Sequence, residues 1–590
     1  MVALQGPKGS EFAQLDGLNG ELKADSIEGP FSFRGTASWQ GAPRELRIAT
    51  GAVDPDGAIR FKSIVRAERG NTYSVDGRLV DLKGRPHLEG EMTAKFDLDA
   101  AAAETPAATP NPTPDGAGHP AKAEKAGVDF KATLAGDAKG LKVDAITISF
   151  ERLGQPQLIS GNAEATWSDA LNVDLNLASR WLDLDRIAGS GGGKRPLDTA
   201  QSFVAAVMDA LPMQAETKIR FDIDQANLGG EAVSGIRLEA ARSNGTLLLK
   251  GLRAGMPGGA RLTLDGTIAD VANARSFQGD LALRGSSLPR FLTWVAQDGS
   301  VADLVRSDGA FSLQGRLGMN EKAIDLTDAG ADLGGTPLTG SVHYVGGERT
   351  QLAIVLDGQQ IDASRFWPTA VGYLKGMLVG AGPDAAKKDD AAAGQPRWLD
   401  VAKSDFSLRL RAAELKTQRQ PVRNVYLDLG VDKGRLSMRS CKFSTDDGLE
   451  VELEGDVADV TAQPRGKLRW TLAAPSKDAF ASLVRLAELP DDVSAKAMGY
   501  AAFAPARLAG AIDLGVRAPA AADIRADGQT DGGRVVATVR LDGGLANWRN
   551  AGADIDLTMR AAELKTQRQP VRNVYLDLGV DKGRLSMRSC

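Results

Sequence analysis

"RAAELKTQRQPVRNVYLDLGVDKGRLSMRSC" (411–441) holds the pattern that decides the fold, and the same 31 letters return at 560–590. Inside it, Val425, Leu427 and Leu429 alternate with polar neighbours. Leu436 and Met438 do the same beyond Asp432-Lys433-Gly434. A period of two marks a strand with one apolar face, and two such runs around a short Gly-containing turn mark a β-hairpin. Gly434 is the residue expected to supply the positive φ of that turn.

The pattern spreads outward from this hairpin. "AVSGIRLEAARSNGTLLLK" (232–250) copies it without copying the letters. Ile236, Leu238 and Ala240 fall where Val425, Leu427 and Leu429 fall; Ser243-Asn244-Gly245 sits at the turn, and Leu247 and Leu249 match Leu436 and Met438. A second unit reads strand, Gly, strand, polar turn, strand, then often a short helix. It recurs at 158–189, 263–295, 337–369 and 452–484, with shorter versions at Asp76-Gly77 and Asp542-Gly543. Its marker glycines are Gly77, Gly161, Gly266, Gly340, Gly455 and Gly543, spaced irregularly by 74 to 115 residues. Diverged repetition of this kind implies one supersecondary unit used many times.

The expected fold is therefore mainly β: an elongated antiparallel sheet of repeated hairpin modules forming a groove, with a few short helices. Segments 1–99, 127–188, 216–380, 398–500 and 501–590 read as β modules, the last one incomplete. Residues 100–126 are Ala/Pro/Thr-rich and read as a disordered linker. A Gly-rich linker with a short helix occupies 189–215, and 381–397 reads as flexible. Helices are expected near 197–210, 287–296, 365–379 and 476–500. In the first, Phe203, Val204, Val207 and Leu211 form an apolar stripe suited to a lid packed on a sheet.

Composition narrows the chemistry. The 590 residues allow about four domains. Net charge is −5 and the basic residues are spread thinly, which argues against nucleic acid as a partner. Cys441 and Cys590 are one position in the two identical copies, so neither a disulfide framework nor a zinc signature is present. His87, His119 and His343 stand alone, and no nucleophile elbow, P-loop or HExxH occurs. Acid pairs at "LDLDRI" (182–187) and "FDID" (221–224) invite a glycosidase reading. In an alternating strand, however, Asp183 and Asp185 would simply share a solvent face. "GMPGGARLTLDG" (255–266) is followed by a strand pattern rather than a helix, so it is no dinucleotide fingerprint. No catalytic, cofactor-binding or metal-binding residue is expected, and the chain does not read as an enzyme.

Residues 1–20 are polar and Gly-rich, unlike a signal peptide, and 367–382 is too short and too interrupted by Lys375 to span a bilayer. The identity of 411–441 and 560–590 has two explanations: a recent exchange between equivalent modules, or a join made in assembling the gene sequence. Either would leave the last strand as an unpaired edge.

Taken together, "FSFRGTASWQGAPRELRIATGAVDPDGAIRFKSIV" (31–65), the "PVRNVYLDLGVDKGRLSM" hairpin and the "LEGDVAD" and "LDGTIAD" units resemble the AsmA family of large diderm envelope proteins. The resemblance covers nearly all of the chain outside the linkers. It implies a periplasmic protein, ordinarily held by an N-terminal inner-membrane helix that these first residues do not supply. It also implies likeness to bridge-like lipid transfer proteins, whose repeated β-modules form a long open groove. Outer-membrane biogenesis, phospholipid supply and protein targeting to membranes are the associated roles. The implied partners are a phospholipid or other acyl lipid and the inner or outer membrane.

Physics supplies an independent reason. A one-sided apolar sheet must hide that face, either under another layer or beneath a ligand. About thirty strands at about 4.8 Å would run on the order of 140 Å, far beyond one compact sandwich. The lipid-facing positions expected are Ile236, Leu238, Leu247, Leu249, Val425, Leu427, Leu429, Leu436 and Met438. Leu427→Asp with Leu436→Asp is the pair expected to abolish lipid binding. The competing readings are a structural or adhesive secreted β-repeat protein, whose solenoid form would show a tighter period, and a polysaccharide-active enzyme.

Overall fold

The computed structural model describes residues 2–5, 11–26, 29–39, 42–67, 71–98, 126–150, 157–167, 170–188, 195–210, 215–271, 274–297, 309–364, 367–379, 404–487, 504–516, 521–531, 533–541, 555–564, 569, 571–581 and 584–589. The chain is mainly β and divides into two units, 1–285 with 290–297, and 286–289 with 298–590. The division falls inside the segment 216–380 that reads as continuous in sequence.

The first unit carries β1 (Val2–Gln5), β2 (Glu11–Ala24), β3 (Phe31–Trp39), β4 (Ala42–Val53), β5 (Ile59–Ala67), β6 (Thr72–Val80), β7 (His87–Leu98) and β8 (Ala126–Asp137). It continues with β9 (Gly140–Phe150), β10 (Gln157–Thr166), β11 (Asn172–Asp183), β12 (Glu216–Leu228), β13 (Glu231–Ser243), β14 (Thr246–Met256), β15 (Ala260–Val271) and β16 (Ala274–Gly285). Each strand pairs with the next, antiparallel except for β11 with β12. That parallel pair needs a crossover. It is made by α1 (Leu184–Ile187) and α2 (Pro196–Ala210). A third helix, α3 (Leu288–Ala296), is tied to this unit by Trp294, whose indole N–H donates to the Leu228 carbonyl at 2.8 Å.

The second unit repeats the plan. β17 (Phe311–Asn320), β18 (Ala323–Leu333), β19 (Pro337–Val345) and β20 (Thr350–Asp362) form an antiparallel run. Then α4 (Trp367–Val379) crosses to β21 (Ser404–Lys416), which lies parallel to β20. Antiparallel pairing resumes through β22 (Val422–Asp432), β23 (Arg435–Ser444), β24 (Glu450–Ala458) and β25 (Arg465–Ala474). After α5 (Lys477–Leu486) come β26 (Ala506–Leu514), β27 (Ala522–Thr530) and β28 (Gly533–Leu541). The duplicate forms its own three-stranded sheet of β29 (Ile555–Leu564), β30 (Val571–Asp581) and β31 (Arg584–Ser589).

Turn chemistry follows the letters. Asp432 pairs with Arg435 around Lys433 and Gly434, which have φ of +46° and +76°. Ser243 pairs with Thr246 around Asn244 and Gly245, at +49° and +78°. Both are two-residue turns with positive φ at each central residue, the type that matches strand twist. The correspondence between β13–β14 and β22–β23 extends to their bulges, after Glu239 and after Asp428. It also includes the residue opening the run, Gly235 at φ +58° and Asn424 at +53°.

The marker glycines have a geometric cause. A Cβ on Gly161, Gly340 or Gly455 would lie 2.0–2.1 Å from a carbonyl oxygen of the neighbouring strand. At these points the sheet coils so tightly that only a hydrogen fits. Gly543 lies outside the described residues.

Three of the four expected helices form at the expected places, at Pro196–Ala210, Leu288–Ala296 and Trp367–Val379. Leu211 of the expected stripe lies outside the described residues. The fourth helix is capped by Ser476, whose hydroxyl accepts from the Ala479 amide at 3.1 Å, and runs to Leu486; 488–500 lie outside the described residues. The same is true of 381–397 and of 100–126, except that Ala126 opens β8.

One local expectation is corrected. Asp183 and Asp185 do not share a solvent face, because the strand ends at Asp183 and a helical turn follows. Both are buried. Asp183 accepts from the Arg186 amide at 3.1 Å and from Asn227 at 3.0 Å, while Asp185 accepts from the Gly229 and Gly230 amides, each at 2.9 Å. They satisfy backbone donors that would otherwise be orphaned.

Candidate functional site

Strand pairing sorts the side chains of β3–β8 into rows, since directly paired residues point to the same face. One row runs Leu22, Phe33, Ile48, Ser63, Val75, Met92, Ala132. The next runs Gly35, Leu46, Val65, Tyr73, Ala94, Phe130, and another Thr50, Phe61, Gly77, Gly90, Leu134. These three rows hold no charged side chain. Along β3–β6 their large members are half-buried or exposed, with Ile48 at 39% and, next to them on β2, Leu22 at 66% exposure, whereas Ala94, Ala132 and Leu134 at the β7–β8 end are buried. No described residue of β3–β8 enters any of the three buried clusters.

The opposite face carries cross-strand ion pairs among Ser, Thr and other uncharged residues. Lys62 and Asp76 pair across strands at 3.2 Å and Lys95 and Asp129 at 3.1 Å. The second unit, taken by itself, has cross-strand ion pairs too, with Arg469 and Glu454 at 2.9 Å. Asp428, also in the second unit, is buried. It accepts from Arg439 Nε at 2.8 Å and lies 3.4 Å from Arg409. The Arg439 hydrogen bond outweighs burial and holds the Asp428 carboxyl below the usual range.

The nine positions singled out in the sequence lie elsewhere, and helices change their surroundings. Ile236 and Leu238 pack against the cluster of Ile159, Leu182, Leu184, Phe221, Ile223 and Ala226, where Phe203 of α2 also rests. Leu247 and Leu249 are 6% and 5% exposed. Val425 and Leu427 pack against the cluster that includes Ala479 and Leu486 of α5. Leu436 joins a cluster covered by Leu374, Met377 and Leu378 of α4. Leu436 is 0% exposed and Met438 2%; Leu429 is half-buried. An unbroken uncovered wall is therefore not what these modules form: side chains without accessible surface touch only protein here. The open stretch is β3–β6. Its signal was legible in the alternation of Phe31, Phe33 and Gly35, but which alternating strands stay uncovered depends on where the helices land.

A polar cluster fastens α5 at one margin of the sheet. The fully buried Ser482 hydroxyl hydrogen-bonds the Asp447 carboxylate and Gln420 Oε1, the latter at 3.0 Å. Arg485 donates to Gln420 at 3.0 Å and to Ser482 Oγ at 2.7 Å. Burial pushes Asp447 up, but hydrogen bonds from Ser482, Thr445 and the Leu449 amide outweigh it, and the carboxyl titrates below its ordinary range.

The remaining candidates are dispersed. Asp222 and Asp224 face solvent on β12. His343 pairs with Asp325 on exposed strands, and His87 lies 3.2 Å from the Arg85 carbonyl; His119 lies outside the described residues. Burial pushes the Cys441 thiol up to about 11, which makes it a poor nucleophile. No described helix is long and apolar enough to cross a membrane.

Compared with known proteins, the chain matches no family model, no curated protein and no solved structure.

Proposed function

We propose that the chain is a non-enzymatic, AsmA-like cell-envelope protein that carries or shields phospholipid acyl chains on its apolar sheet face. A periplasmic setting, serving outer-membrane biogenesis or protein targeting to membranes, belongs to the same proposal. The observation that carries it is the three charge-free rows across β3–β8, half-buried or exposed along β3–β6, opposite a face that carries cross-strand ion pairs. An apolar face of this kind is costly in water unless something apolar covers it. Each CH₂ of a tail laid on it is worth roughly 0.8 kcal/mol, and because no contact is directional the tail can slide. Six strands at about 4.8 Å give a floor of about 24 Å. The hydrocarbon of one leaflet, half of a core of about 30 Å, is shorter.

The test is the lipid that co-purifies with the chain, quantified by mass spectrometry after solvent extraction. Val75 and Met92 are cross-strand partners in the open rows. Val75→Asp with Met92→Asp should lower bound lipid at least tenfold while far-ultraviolet circular dichroism keeps its β signature. Equal lipid in both proteins, or none in the parent, would favour a structural or adhesive β-repeat instead. Leu427→Asp with Leu436→Asp is the poorer test, because Leu436 is fully buried in a packed cluster.

A further inference from the structure

We propose that Arg44 anchors the phosphate headgroup of a lipid whose tails lie on β3–β6, so that the face prefers phospholipid to an uncharged acyl lipid; this rests on the reading of that face as a lipid carrier. Register places Arg44 there. It pairs with Ala37 of β3 and Ala67 of β5, and it stands two and four positions before Leu46 and Ile48 with no bulge between. The paired positions of this face across β3–β8 hold no other charged side chain. Arg44 is half-buried and its partner Ala37 is 3% exposed, the balance of an arginine whose stem covers apolar surface while its head stays in water.

Charge and distance fix the occupant. Among the described residues no carboxylate meets the Arg44 guanidinium. Its neighbour Glu45 alternates to the other face, where it accepts from Arg47 Nε at 2.9 Å and lies 3.8 Å from Arg34 and 3.9 Å from Arg66. One carboxylate shared by three guanidinium groups does not neutralise a fourth. A hollow of about 490 Å³ opens at the same strand ends, with Arg44, Arg66, Thr36 and Thr72 in its lining beside Glu45. Guanidinium and hydroxyl groups are donors suited to phosphate oxygens, and an arginine can grip two of them at once. Rows on one face lie roughly 6.6 Å apart along a strand, so the row of Thr50 and Phe61 is about 20 Å from that of Arg44. The hydrocarbon of one leaflet, half of a core of about 30 Å, is shorter. A tail running down β4 and β5 from a headgroup at Arg44 therefore stays on charge-free rows for its whole length. A free phosphate would use none of these rows. An extended peptide would find no backbone partners, because every strand of β3–β6 is hydrogen-bonded on both sides.

The test incubates the full chain with vesicles of dioleoylphosphatidylglycerol containing a minor share of dioleoylglycerol, which has the same tails and no phosphate. The protein is re-isolated by gel filtration, and both lipids are quantified by mass spectrometry after solvent extraction. The parent should hold the phosphate lipid several-fold above its share in the vesicles. Arg44→Gln should lower that enrichment several-fold with total bound acyl chain little changed, and Arg44→Lys should keep part of it. Arg60→Gln removes an equal charge from an exposed position on the opposite face and should leave the enrichment as it is. No enrichment in the parent, no change in Arg44→Gln, or an equal change in Arg60→Gln overturns the anchor and leaves the carrier reading standing. Loss of both lipids in the same proportion from Arg44→Gln overturns it too, since the residue then supports the floor and not the headgroup. No lipid of either kind on the parent overturns the carrier reading itself.

Discussion

Residues 411–441 and 560–590 are one sequence folded in two surroundings. Val422 pairs with Leu415 and Val571 with Leu564; Leu429 pairs with Met438 and Leu578 with Met587; a bulge follows Asp428 and another follows Asp577. Asn424 and Asn573 hold φ of +53° and +57°. Burial, by contrast, separates the copies at Val422 and Val571, which are 1% and 50% exposed. Met438 is 2% exposed and Met587 62%. The first copy lies under α4 and α5, and among the described residues no member of the second enters a buried cluster. Hairpin geometry is thus a property of the letters, and burial a property of the neighbours.

The sharpest way to break this contrast is to place a charge at the same letter twice. Val422→Asp should cost roughly 3 kcal/mol or more, the penalty of an uncompensated buried charge, whereas Val571→Asp should stay within about 0.5–1 kcal/mol. Urea midpoints of the two variants check this. Equal losses would mean that both copies are covered in solution. A smaller and symmetrical effect is expected at the bulges: Asn424→Ala and Asn573→Ala should each cost about 1 kcal/mol, because alanine lacks the short polar side chain that lets asparagine tolerate the left-handed region. Glycine at either position should be nearly silent, and an effect confined to one copy would show that the kink is imposed from outside.

The smallest effect concerns Asp428, which faces Arg409 across the strands, while Asp577 faces Thr558. The Asp428 pKa is lowered, chiefly by its hydrogen bond to Arg439, with Arg409 adding attraction. Its stabilisation is therefore complete above the ordinary carboxylate value near 3.9 and is lost as pH falls through the lowered folded value. Arg409→Thr makes the first copy resemble the second. Because the Arg409 side chain is 52% exposed, the change should cost only about 0.5 kcal/mol at neutral pH. That difference should vanish in acid, as denaturant midpoints across pH would record.

Much of the architecture was readable from local signals. Alternation placed the strands, and Gly434 and Gly245 marked their turns. The acid pair at Asp183 was misread because a strand ending and a strand continuing look alike over six letters. What decided there was contact with Asn227 and with the Gly229-Gly230 amides, more than forty residues away in sequence. The candidate site was legible as a kind of face and illegible as a place. Leu436 and Ile48 sit in similar alternating runs, yet one is sealed under α4 and the other is 39% exposed.

The sequence by itself determined the period-two strands, the turn types, the bulges and the register, because each depends on sterics within a few residues and on the partner one turn away. Only the tertiary structure decided which apolar faces are closed. That depends on where α2, α4 and α5 return across the sheet, and such long-range packing leaves no mark on the letters of the strands it covers.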